Sequence, residues 1–96
     1  MTATKLRPAL VLYEGEKDVV VAFISSRTQK PKPTDIMIDT KHADFEKTGL
    51  KIASIIKLDK IATISKELIL GEIGEVGAKL KKELNHKIAE VFYFDI

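Results

Sequence analysis

The sequence predicts an α+β fold, a small curled sheet or barrel with one amphipathic helix laid against it. Two observations carry that expectation. Short apolar strands separated by turn residues fill the first two thirds of the chain, and a single stripe of apolar residues at helical spacing closes it. The 96 residues, 45% hydrophobic and 31% charged, suit one domain spanning 1–96 with a thin core.

Pro8 to Tyr13 reads as the first strand, nearly continuous in apolar residues from Ala9 onward. Glu14-Gly15-Glu16-Lys17 makes the turn, and Asp18 to Ser25 is its hairpin partner. Val19 to Ile24 is apolar at every position, which predicts a central strand covered on both faces. SRTQKPKP, from Ser26 to Pro33, carries three positive charges and two prolines, so it reads as an exposed loop. Thr34 to Asp39 is a third strand, and Lys41 to Leu50 holds about one helical turn, ending at Gly49. Ser54 to Ile64 reads as one bent strand or two short ones. Ile73, Val76, Leu80, Leu84, Ile88 and Val91 are spaced by three, four, four, four and three, placing them on one helix stripe. Glu75 with Lys79 and Glu83 with Lys87 are acid-first i,i+4 pairs; Gly74 and Gly77 weaken the start, so the helix should firm up near Ala78.

Composition narrows the chemistry. A net charge of +2 argues against a polybasic nucleic-acid coat, and the absence of cysteine excludes disulfides, zinc ribbons and thiol nucleophiles. The longest apolar run, six residues from Val19 to Ile24, is too short to span a bilayer, and MTATKLRPAL has no secretory pattern. A cytoplasmic protein without membrane association is expected. No metal-ligand spacing, nucleotide-binding glycine motif or hydrolase elbow occurs, so neither metal nor cofactor is expected. His86 reads as a solvated helix residue, and His42 lies before a turn.

Phosphate chemistry without a metal remains. Cleaving RNA needs a cation at the scissile phosphate, a group to take the 2′-hydroxyl proton and one to protonate the leaving oxygen. Only two of the 16 basic residues are arginines, Arg7 and Arg27. Arg7 stands at the entrance to the first strand, either as a phosphate-binding fork or as a surface arginine. Ser25, Ser26, Arg27 and Thr28 end the buried strand, offering hydroxyls at its rim or ordinary strand-end capping. Arg27, Lys30 and Lys32 either steer an RNA strand or form a solvated tip.

The order of the fragments resembles the PemK/MazF toxin family of type II toxin–antitoxin systems from Lys5 to about Phe92. The matching pieces are KLRPALVL from Lys5, VVAFISSR from Val20, PTDI from Pro33, FEKTGL from Phe45 and SIIKLDKIATI from Ser54. The resemblance implies an SH3-like barrel with a C-terminal helix, acting as a metal-independent, sequence-selective endoribonuclease. Such enzymes cut single-stranded RNA, often leave a 2′,3′-cyclic phosphate and are blocked by an antitoxin protein. It implies Arg7 at the scissile phosphate, Ser25 in place of a threonine hydroxyl, and Lys57 with Asp59 as a basic–x–acidic pair serving as acid and base. Ser26, Arg27, Thr28, Lys30, Lys32 and Thr34 would contact RNA. Relatives usually begin with a G-D-I-V-x-V strand and a loop before the arginine-proline pair, whereas six residues precede Arg7 here. That departure implies a barrel without the family's first strand, with an unpaired edge that a second copy covers in a homodimer. The alternative is a degenerate or truncated homologue, a non-catalytic barrel that binds a protein partner or itself.

Overall fold

β1 (Ala9–Glu14) and β2 (Asp18–Ser26) form the expected hairpin, its turn closed by the Gly15 N–H donating to the Asp18 carbonyl at 2.8 Å. The computed structural model of the chain describes residues 7–26 and 30–93. After β2 come β3 (Asp35–Ile38), the single helical turn α1 (Phe45–Thr48), β4 (Ser54–Ser65), a 3-10 turn at Lys66–Leu68 and helix α2 (Ala78–Val91). The four strands make an antiparallel, curled half-barrel in the order β1-β2-β4-β3. β1 therefore has an outer edge without a partner strand among the described residues, and β2 is central, as expected.

β4 is one strand, bent by an irregular register. Ala22 pairs with Ile61 but Phe23 pairs with Lys57, so Leu58, Asp59 and Lys60 are extra residues in that ladder. Such an insertion bends a strand and increases its twist, which is why the run reads locally as either one strand or two.

Alternation along the strands sorts the residues onto two faces. Leu10, Ala22, Ile24, Ile36, Ile38, Ile56 and Leu58 share the face on which Leu80 and Leu84 of α2 pack. Ile38, Ile56, Leu58 and Leu80 are the largest fully buried side chains along with Val21. Burying each contributes about 1.5–3 kcal/mol before entropic costs. On the opposite face of β2, Val19 and Val21 are also buried, but Phe23 is 38% exposed. Double coverage thus stops short of the strand's C-terminal end, where the sheet opens.

The helix begins at Ala78 after Gly77, so Ile73 and Val76 lie before it rather than on its stripe. Val76 still packs against the core, but Ile73 is 61% exposed. Glu75 is likewise outside the helix and cannot form a helical pair with Lys79; its N–H donates instead to the Lys47 carbonyl at 2.8 Å. The start of α2 is set from a distance. Buried Asp44 accepts the Leu80 N–H through Oδ2 at 2.8 Å, a carboxylate cap on the positive end of the helix. Gly77 leaves the room, because a Cβ there would fall on that carboxylate. Among the described residues no helix is long and apolar enough to cross a membrane.

Candidate nucleic-acid interface

The sheet face away from α2 carries a set of polar residues whose positions follow from strand register. Ser25 on β2 lies opposite Ile55 on β4, and Ile55 lies opposite Met37 on β3. One step along, Phe23 pairs with Lys57, and Lys57 pairs with Asp35. On the other side Ala9 pairs with Phe23, and the Pro8 carbonyl accepts the Ile24 N–H at 3.2 Å. Exposed Arg7 stands two residues before β1, beyond the last paired residue Ala9, and does not line the cleft at this end.

At this open end a cleft of about 100 Å³ is lined by Ser25, Ser26, Lys30, Lys32, Asp35, Ile55 and Lys57. Five candidates chosen for phosphate chemistry, two hydroxyls and three ammonium groups, therefore meet in one depression. Lys30 and Lys32 are exposed and Lys57 is half-buried, leaving the cationic side chains accessible to an anion. Asp59 shares the face of Lys57, two residues on, but does not line the cleft. Its carboxylate lies 3.9 Å from Lys32 Nζ, an exposed pair too weak to withhold that lysine from a ligand. Thr34 is half-buried outside the cleft lining, and its carbonyl accepts the Leu58 N–H at 3.1 Å. Arg27 and Thr28 lie outside the described residues.

Asp35 is the cleft residue that the linear pattern does not single out. Its N–H donates to the Lys32 carbonyl at 2.9 Å and its Oδ2 accepts the Lys32 N–H at 2.8 Å, closing a turn with Pro33 in its second position. The residue is only 7% exposed, and its Oδ1 is buried without a hydrogen-bond partner among the described residues. A proline with an aspartate two residues later is the signal for a turn; nothing in it distinguishes a turn cap from a ligand group.

The histidines lie elsewhere. His42 Nδ1 accepts the Asp44 N–H at 3.0 Å and its Nε2 contacts Glu83 Oε1, tying the segment before α1 to α2. His86 has an 85% exposed side chain beside Glu90, the solvated residue expected.

Two solved structures resemble this architecture. One, described as the crystal structure of an Mtb toxin, aligns with a TM-score of 0.73 at 25% identity, covering 90% of this chain and 92% of that one. The other, the Mycobacterium tuberculosis toxin MazF-mt6, aligns with a TM-score of 0.74 at 24% identity over 94% of this chain and 89% of its own, a likeness of fold. No curated relative matches. Residues 2–92 match the family described as the PemK-like, MazF-like toxin of type II toxin–antitoxin systems, and a match across nearly the whole length means that the chain belongs to that family.

Proposed function

We propose that the chain is a metal-independent endoribonuclease that cuts single-stranded RNA at selected sequences on the open face of its sheet. The observation that carries this reading is the convergence of Ser25, Ser26, Lys30, Lys32 and Lys57 in one small cleft; Arg7, exposed two residues before β1, lies outside its lining. Lysines favour the phosphate backbone electrostatically, and the guanidinium of Arg7 adds a fork that binds two phosphate oxygens at once. In the reaction the 2′-oxygen bonds to phosphorus and the bond to the 5′-oxygen breaks, leaving a 2′,3′-cyclic phosphate and a 5′-hydroxyl. Arg7 stabilises the charge that builds on the phosphate oxygens and protonates the leaving oxygen. Ser25 donates a hydrogen bond to the phosphate or the 2′-hydroxyl, the Asp59 carboxylate takes the 2′-hydroxyl proton, and the Lys57 ammonium supplies the neighbouring cation. Lys30 and Lys32, with Ser26, Arg27, Thr28 and Thr34, follow the backbone.

Family membership supports an antitoxin protein as the inhibitory partner and a cytoplasmic setting. The edge of β1, without a partner strand among the described residues, supports a homodimer. A second reading, a barrel that only binds protein, draws support from the exposed side chains of Leu68, Leu70 and Ile73 at 68%, 75% and 61%. One experiment separates the two. Purified protein is incubated with single-stranded RNA in EDTA beside Arg7→Ala, and the product ends are mapped. Cleavage by the parent chain and its loss in the variant are expected; no cleavage, or equal cleavage by both, sinks the enzymatic reading. Light scattering at micromolar concentration is expected to give the mass of a dimer, and a monomer would contradict the assembly.

A further inference from the structure

We propose that Asp35 reads the ribose 2′-hydroxyl beside the phosphate held in the cleft and so selects RNA over DNA. This rests on the cleft being the phosphate site. Asp35 is more than nine-tenths buried, and its two carboxylate oxygens differ: Oδ2 accepts the Lys32 N–H at 2.8 Å, whereas Oδ1 is buried and unpartnered among the described residues. Leaving a buried carboxylate oxygen unpaired is unfavourable, so the site is completed by something that donates a hydrogen bond. Lys57 stands directly opposite Asp35 across the β3–β4 ladder, yet the two side chains form no ion pair. Among the described residues Asp35 therefore keeps a buried, unpartnered acceptor in the wall of a cleft whose other charged groups are the cations Lys30, Lys32 and Lys57.

A complementary ligand carries an anion for the lysines and, close by, a neutral donor for the carboxylate. An ionised carboxylate only accepts, so it takes a hydroxyl or amine and repels a second anion. In RNA the 2′-hydroxyl sits on the carbon next to the one that bears the 3′-phosphate, and this hydroxyl separates RNA from DNA. The N–H groups of the bases, the other donors available, lie across the sugar from the phosphate. The cleft of about 100 Å³ is far smaller than the ~300–1,000 Å³ of sites that hold whole small molecules, which favours the compact phosphate–hydroxyl pair.

The test is a titration of isotope-labelled protein, followed by backbone amide NMR, with a ribonucleoside 3′-monophosphate and with its 2′-deoxy counterpart. Neither nucleotide can be cleaved, so the readout does not require catalysis. The parent chain is expected to bind the ribonucleotide about tenfold more tightly. Asp35→Asn, nearly isosteric, is expected to bind the two equally. Equal affinities in the parent chain, no binding of either nucleotide, or an undiminished preference in Asp35→Asn would each overturn the proposal. The parent-chain ratio decides the matter even where the variant fails to fold. Should the protein cleave no RNA yet keep the ribose preference, the endoribonuclease reading falls and this assignment stands. Should it cleave RNA without that preference, the reverse holds.

Discussion

Replacing Asp44 with alanine removes the carboxylate that caps α2 from outside the helix. The bond at stake joins Asp44 Oδ2 to the Leu80 N–H at 2.8 Å, and Leu80 is 0% exposed, so water cannot replace the lost acceptor without opening the core. Loss of a helix cap costs about 0.5–2 kcal/mol and an unpaired buried N–H about 1–3 kcal/mol. Both figures describe the same bond, so they overlap, and the expected loss is about 2 kcal/mol. For a domain of this size that corresponds to a fall in Tm of roughly 8–16 °C. Asp44→Asn keeps the acceptor but not the charge and should lose about half as much. The companion substitution is Gly77→Ser, whose Cβ would strike the Asp44 carboxylate in the parent chain. In the Asp44→Ala background that space is free, and the serine hydroxyl can cap the helix locally. The two substitutions should therefore be non-additive, with the double variant more stable than Asp44→Ala alone. Urea denaturation followed by circular dichroism measures the parent chain and all four variants. A loss below about 0.5 kcal/mol for Asp44→Ala, or strict additivity in the cycle, would refute the long-range cap.

Gly49 has φ 73°, and a Cβ there would fall on the Ile73 carbonyl, so Gly49→Ala should destabilise by about 1–3 kcal/mol in the same denaturation assay. Leu58 is 1% exposed beneath α2, and Leu58→Ala should cost about 2–5 kcal/mol, read as a lower urea midpoint with an unchanged slope. Lys30→Ala and Lys32→Ala should each lower the slope of log K against log salt for single-stranded RNA by about 0.7, the signature of one lost phosphate contact; fluorescence anisotropy across salt concentrations checks it.

The hairpin and α2 are legible in the sequence because their signals are local: apolar runs around a glycine turn, and a helical stripe from Leu80 to Val91. The stripe overreaches at Ile73 because spacing cannot reveal where a helix starts when Asp44, 36 residues from Leu80, supplies its cap. The bend in β4 is hidden for a similar reason: the register jump at Leu58 to Lys60 exists only in the pairing with β2. At the site, hydroxyls and lysines stand out as residue types, and four of the five that meet in the cleft cluster between Ser25 and Lys32. Asp35 does not stand out. Its place in the cleft depends on lying opposite Lys57, a long-range register that its own neighbours do not encode.

The central claim, that RNA is held and cut on the sheet face away from α2, is tested most directly by comparing lysines on the two sides of the molecule. Lys32→Ala and Lys57→Ala alter the cleft, whereas Lys81→Ala and Lys82→Ala alter the exposed surface of α2 with the same change of charge. Cleavage of one single-stranded RNA is measured as kcat/KM at fixed salt. The cleft substitutions are expected to lower it by about tenfold or more, the loss of about 1.4 kcal/mol of transition-state binding, and the helix substitutions by less than about twofold. Equal losses on both surfaces, or a larger loss on α2, would contradict the placement of the site.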